Sequence, residues 1–383
     1  MEEIMGTIRD STSTFRKIAF PIVAVALGLT VAFAACEIIV RTIRPQSLGP
    51  SWFTYDNERG LIPVPDQHGR RCLKGTYDFT FSHNSLGLRC SRNYPSTKQK
   101  GTIRILLLGD SYTYGTGVNN EDTFAYLIEK SLSTATYPVE VINAGNPGKG
   151  TDYELRELTA LSKKLKPDVV VLGFHFNDFG DNMRGDYYVL NDAGDLEPRT
   201  PQNPLKRMKN VMRFIPFYKW FLCNSHFAVF LKEFIANAIV NHSFVHPVNN
   251  TMTGESVAGS ENQVPLKSVK TTGALLTRLK HDTLQSGSSF AVFYFPPRWE
   301  VAEYRLSGEI SIYEKAIGGI ASGLRQPLFS LTPALARELN MGNNLYLKEG
   351  HWAAAGHKVV ADFMVLTLSN IVSIKIAEKE SSL

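Results

Sequence analysis

The run Ile103-Arg104-Ile105-Leu106-Leu107-Leu108 is almost unbroken in apolar residues and stops at Gly109. A strand with one wet face alternates apolar and polar side chains, whereas a strand covered on both faces does not. The run therefore predicts an inner strand of a parallel sheet with helices on both sides. Gly109-Asp110-Ser111-Tyr112 follows at once. The serine thus stands just past the carboxyl end of that strand, the edge where open α/β sheets bind their ligands.

Strand and helix patterns alternate after this point, as a helix-covered parallel sheet requires. Strands are expected at 103–108, 138–142, 168–173, 289–295 and 327–331, and helices at 123–132, 153–165, 271–285, 310–324 and 352–370. The fold class is an α/β/α three-layer sandwich with a central parallel sheet, occupying residues 101–383. A long insertion, 181–270, interrupts it. Its middle, Phe214-Ile215-Pro216-Phe217-Tyr218-Lys219-Trp220-Phe221-Leu222, is rich in aromatics, and an apolar helix is expected at 227–240. This part reads as a cap over the site, a face resting on a membrane, or simple packing onto the core. Residues 249–264 are polar and read as a loop. Before the sheet, residues 45–100 form a β-rich lead-in, with a strand at 76–81.

Residues 18–36 carry no charge and are long enough, at about 1.5 Å per residue, to cross about 30 Å of hydrocarbon. Residues 18–40 are therefore expected to be a transmembrane anchor after a tail at 1–17. Arg16 and Lys17 precede the run and Arg41 and Arg44 follow it, so charge alone does not orient it. A net charge of +5 over 383 residues, with no basic stripe interleaved with aromatics, excludes nucleic acid as the expected partner. Cys36, Cys72, Cys90 and Cys223 lack metal-type spacing, and no metal or organic cofactor is expected. Cys72 and Cys90 flank a short β segment and are read either as a pair or as free thiols.

Three strand ends deliver loops to one edge. The first carries Ser111. The second, Asn143-Ala144-Gly145-Asn146-Pro147-Gly148, lets the backbone approach a substrate and turn N–H groups toward it. The third, His175-Phe176-Asn177-Asp178, offers the Asn177 amide to a developing oxyanion. A fourth element lies near the C-terminus, Glu349-Gly350-His351-Trp352. His351 there can take the proton of Ser111, and Glu349 can accept from its Nδ1 and fix the tautomer. Asp110 reads as a brace for the serine loop, and Asp178 as the residue orienting Asn177. His175 and His357 read as packing residues more than ligands, and Trp352 reads as a pocket wall or as core packing. A phosphate loop is excluded because no lysine stands at the required spacing. The Gly-x-Ser-x-Gly elbow is also absent around Ser111.

These residues resemble the SGNH hydrolases, also called the GDSL esterase/lipase superfamily. Gly109-Asp110-Ser111 is similar to its first block, Gly145 to the second-block glycine, Asn177-Asp178 to the third block and His351 to the histidine block. The likeness covers residues 102–182 and 271–370. The lead-in, with Glu37, Arg41 and Asn84-Ser85-Leu86-Gly87-Leu88-Arg89, resembles that of membrane-anchored bacterial members. Two positions depart from the pattern. His175 stands where the third block usually has glycine, and Glu349 where the acid is usually aspartate. The resemblance implies Ser111, His351 and Glu349 as catalytic residues, and the Ser111 and Gly145 N–H groups with Asn177 as the oxyanion hole. It implies a serine ester hydrolase acting on acyl or acetyl esters of envelope polysaccharide or lipid, with the catalytic part periplasmic or otherwise outside the cytoplasm. Two alternatives stay open: an O-acyltransferase or O-acetyltransferase acting on polysaccharide, and a catalytically weak, membrane-anchored glycan- or lipid-binding protein.

Overall fold

The computed structural model describes residues 2–200, 216–243 and 263–381. It opens with a long helix, α1 (Glu2–Ile43). Its part Ala19–Ile43 is long and apolar enough to cross a membrane, and no part of its most apolar stretch is covered by protein. Two antiparallel hairpins follow, β1 (Phe53–Asp56) with β2 (Gly60–Pro63), and β3 (His68–Leu73) with β4 (Tyr77–Ser82). The expected strand at 76–81 is β4. The other three lead-in strands were not anticipated, because Gly, Pro and charged residues interrupt their alternation.

The core begins with β5 (Ile103–Gly109), a four-residue turn of helix α2 (Ser111–Tyr114), α3 (Phe124–Leu132), β6 (Val139–Asn143), α4 (Thr151–Leu165) and β7 (Val169–His175). The insertion holds a single turn α5 (Asp178–Asp181), a hairpin β8 (Tyr188–Leu190) with β9 (Leu196–Pro198), and helices α6 (Tyr218–Asn224) and α7 (His226–Ser243). Phe214, Ile215 and most of the loop expected at 249–264 lie outside the described residues. The core resumes with α8 (Leu266–Gln285), β10 (Ser289–Phe295), α9 (Arg298–Ser307), α10 (Ile312–Gly323), β11 (Leu328–Ser330), α11 (Thr332–Asn340) and α12 (Ala354–Ser381).

The sheet runs β11-β10-β7-β5-β6, with every neighbouring pair parallel. Side chains of β5 alternate between two apolar layers. Ile103, Ile105 and Leu107 pack with Phe124 and Ile128 of α3 and Met364 and Leu368 of α12. Leu106 and Leu108 pack on the other face with Leu155 and Leu158 of α4 and Leu275, Leu276 and Leu279 of α8. The expected α/β/α sandwich is therefore the observed architecture. The odd residue in the β5 run, Arg104, is fully buried and its Nε donates to Glu140 Oε2 on β6 at 2.7 Å. That cross-strand ion pair is what allows a charge inside the sheet. Helix α12 is apolar and long, but it lines the core through Val360, Ala361, Met364 and Leu368.

The lead-in packs onto the core beside the carboxyl edge. Trp52 Nε1 donates to Tyr114 Oη at 2.7 Å, and His83 Nε2 lies 2.8 Å from the same oxygen. His83 Nδ1 faces the Val64 carbonyl at 3.0 Å and must carry the ring proton, so Tyr114 donates to Nε2. Burial lowers the His83 pKa to about 4, which keeps this tautomer neutral. A buried ion pair between Arg59 and Glu157 of α4 ties down the first hairpin. All four cysteines are free thiols.

Candidate active site

The β5–β7 register sets Gly109 beside Gly173, so the loops carrying Ser111 and Asn177 leave the sheet side by side. Asp110 caps the turn that holds the serine. Its carboxylate accepts the Tyr112 N–H at 2.8 Å, and its carbonyl accepts the Tyr114 N–H at 3.0 Å.

Gly145 lies in the loop after β6, pressed against α2. A Cβ there would sit 2.2 Å from Tyr114 N and 2.6 Å from Thr113 C, both backbone atoms that cannot yield. Asn143 locks the two loops together, donating from Nδ2 to the Thr113 carbonyl at 2.7 Å and accepting the Gly145 N–H on Oδ1 at 3.0 Å. The Gly145 amide therefore already has an internal partner in the resting site.

Asn177 Nδ2 donates to Asp181 Oδ2 at 3.1 Å. Asp178 accepts the His175 N–H at 3.0 Å and so fixes the loop that presents Asn177. His175 itself is buried, with Nδ1 donating to the Phe295 carbonyl at 2.6 Å and its ring 4.2 Å from the Tyr112 ring. Burial pushes its pKa down to about 3, so it is a neutral packing residue.

His351, the expected base, arrives from a tight turn before α12. Leu347 N–H donates to the His351 carbonyl at 2.7 Å, and Gly350 N–H to the Leu347 carbonyl at 3.1 Å. Gly350 has φ of +106°, a backbone region that favours glycine. The Tyr112 hydroxyl donates to the Gly350 carbonyl at 2.9 Å, pinning this turn to α2. His351 Nε2 stands 2.8 Å from Ser111 Oγ. Glu349 Oε1 stands 3.4 Å from His351 Nδ1, longer than a good hydrogen bond. Apo contacts of this kind tighten when substrate binds. Trp352 is core rather than pocket wall, in ring contact with Tyr112, Phe124 and Phe295. His357 is structural, its Nδ1 accepting the Phe124 N–H at 3.3 Å.

Behind these loops lies a group of carboxyls that sequence reasoning passed over: Asp152 and Glu154 in the first turn of α4, and Asp181. Acids in a first helical turn read as ordinary dipole partners, and nothing in their spacing shows that this turn is buried. Burial raises the pKa of Glu154 and of Asp178 well above the usual carboxyl range, and neighbouring acids reinforce it. Asp110 and Asp181 are pushed up to about 6, chiefly by burial. Burial thus disfavours charge on Glu154 and Asp178, which limits negative charge behind the loops that carry Ser111 and Asn177. Among the described residues, no three His, Cys, Asp or Glu side chains are placed to hold a metal ion.

The family model described as GDSL-like lipase/acylhydrolase matches residues 107–359. No curated protein sequence matches the chain. Solved structures similar to it include the psychrotrophic esterase EstA from Pseudoalteromonas sp., at 15% identity over 70% of this chain and 98% of that one, with a TM-score of 0.38. A lipase/acylhydrolase from Enterococcus faecalis aligns at 16% identity over 70% and 96%, with a TM-score of 0.36. Axe2, an acetylxylan esterase from Geobacillus stearothermophilus, aligns at 14% over 70% and 94%, with a TM-score of 0.35. The matched segment spans more than half of the chain and contains Ser111, Gly145, Asn177 and His351. The chain therefore belongs to the GDSL-like lipase/acylhydrolase family and is a carboxylic ester hydrolase.

Proposed function

We propose that the protein is a serine esterase working through an acyl-enzyme on Ser111. The observation that carries this reading is the 2.8 Å contact between His351 Nε2 and Ser111 Oγ. Ser111 Oγ attacks the ester carbonyl as His351 takes its proton. Negative charge moving onto the carbonyl oxygen is met by the Ser111 N–H and Asn177 Nδ2. The Gly145 N–H joins them as that oxygen competes with Asn143 Oδ1 for it. Each such donor contributes about 3–4 kcal/mol to the transition state. Collapse of the tetrahedral intermediate breaks the ester C–O bond, and His351 returns its proton to the leaving alcohol. Water, deprotonated by His351, then attacks the acyl-enzyme and releases the acid and free Ser111. Glu349 steadies the imidazolium in both halves.

The openness of the site supports hydrolysis over transfer. The His351 and Glu349 side chains are 23% and 26% exposed, so water reaches the acyl-enzyme, whereas transfer to a sugar hydroxyl calls for its exclusion. We read α1 as a membrane anchor holding the catalytic body outside the cytoplasm. Acyl or acetyl esters of envelope lipid or surface polysaccharide are the substrates within its reach. The test treats the full chain in detergent with a fluorophosphonate probe and with p-nitrophenyl esters of increasing chain length. Labelling and turnover should vanish in Ser111→Ala, and turnover in His351→Ala. Folded wild-type protein that neither labels nor turns over would overturn the reading.

A further inference from the structure

Helices α6 and α7 of the insertion are bound to the anchor as well as to the start of the lead-in segment that follows it. The Phe33 ring of α1 meets Phe221 edge-on at 5.9 Å and Phe227 at 5.4 Å. One turn further along α1, Glu37 accepts from Ser225 Oγ at 2.8 Å, His226 N at 3.1 Å and Phe227 N at 2.9 Å, capping the start of α7. Arg41 Nη2 donates to the Asn224 carbonyl at 3.1 Å. On the other side, Gly49 N–H donates to the Leu222 carbonyl at 3.1 Å, and Gln46 N–H to His226 Nδ1 at 2.8 Å.

These contacts fix the depth of α6. Glu37, Arg41 and Arg44 mark the level at which α1 leaves the apolar phase. Phe33 lies inside the uncharged stretch, about 6 Å deeper by helical rise. Phe221 touches Phe33, so α6 lies at or below the polar boundary. The exposed residues at its start include two large aromatics, Phe217 at 78% and Trp220 at 58%, with the charged Lys219 exposed between them. Such aromatics left in water next to an anchor would cost free energy, whereas tryptophan favours the layer between headgroups and acyl chains.

We propose that residues 217–221 form a second membrane contact, with Phe217 and Trp220 seated in the interfacial layer of the bilayer beside α1. The occupant of this apolar face is lipid, because the face continues the uncovered apolar surface of α1 at the same depth. One helix alone leaves the body free to swivel about its axis. A second contact, displaced from that axis, fixes which side of the catalytic body faces the membrane. The inference rests on α1 being an anchor.

The experiment uses the full chain in vesicles of a phosphatidylcholine brominated near the glycerol end of its acyl chains, which quenches tryptophan at that depth. The chain has four tryptophans, so quenching should remove a component on the order of one quarter of the emission. That component should be absent in Trp220→Phe, which keeps an aromatic ring in place. Carbonate extraction of both proteins is run alongside. Vesicle-bound, extraction-resistant protein with no quenching, or with equal quenching in Trp220→Phe, overturns the inference and leaves the anchor reading standing. The same absence of quenching would report a second copy of the chain covering the patch. Protein released by carbonate overturns the anchor reading, and the inference with it.

Discussion

Glu349 is the proposed acid of a histidine turn whose family resemblance leads one to expect aspartate, and its length is testable. Its carboxylate stands 3.4 Å from His351 Nδ1, with both side chains about a quarter exposed. Between unit charges at that distance the attraction is about 5 kcal/mol at an effective dielectric of 20 and about 1 kcal/mol in bulk water. Partial exposure places the value between these limits, at about 2–4 kcal/mol for an imidazolium formed in the transition state. Glu349→Gln keeps the shape and an acceptor but removes the charge, so kcat/KM should fall by about 30- to 1000-fold. Glu349→Asp withdraws the carboxylate by about one C–C bond, 1.5 Å. The attraction then drops by about a third, for an expected loss of about 3- to 10-fold. The predicted order is wild type, then aspartate, then glutamine, read as kcat/KM for p-nitrophenyl acetate. Circular dichroism melts should be nearly unchanged, since the side chain sits on a surface turn. An aspartate variant faster than wild type would refute the match between glutamate length and this turn. A glutamine variant of undiminished rate would remove Glu349 from the mechanism.

Two further outcomes are expected. Gly145→Ala would drive a Cβ into the backbone of Thr113 and Tyr114, so esterase activity and thermal stability should fall together by an overpacking cost of about 1–3 kcal/mol or more; a variant with wild-type Tm would refute the close approach. Burial raises the Glu300 pKa to about 8 from 4.5. Its folded form therefore holds a proton that the unfolded chain releases, giving stability that is full below about pH 4.5 and lost as pH rises through about 8. Glu300→Gln, which cannot ionise and still accepts from the Tyr294 hydroxyl, should show a smaller fall in Tm between pH 5 and pH 8 than wild type; an equal fall would refute the assignment.

Much of the sheet was legible in the chain because buried parallel strands write themselves as apolar runs. The strand expected at 289–295 is β10 residue for residue, and those at 103–108 and 168–173 differ from β5 and β7 by one or two positions at their ends. Helices α9 and α11 were not anticipated. Each starts at a proline, Pro297 before α9 and Pro333 within the first turn of α11, where proline begins a helix as readily as it ends one. Helix α9 also hides its pattern by burying Glu300 beside Val301. The Ser111–His351 pairing was legible from loop positions alone. The carboxyls behind it were not, since a helix turn in which Thr151, Asp152, Tyr153, Glu154 and Leu155 are all buried has no apolar stripe to betray it. The bond from Tyr112 to Gly350 joins residues 238 positions apart and leaves no trace in local spacing.

That separation has a bearing on time as well as space. Ser111 and His351 lie 240 positions apart, and the whole of β6, β7, β10 and β11 is made between them. As the chain emerges from the ribosome, the serine is an ordinary alcohol for most of the synthesis. It gains a base only when the final turn closes against Tyr112 and α12 seals the α3 face of the sheet. On the proposed mechanism, a chain interrupted before His351 has no base for Ser111 and is expected to be inert toward esters, so catalytic competence would report completion of the fold.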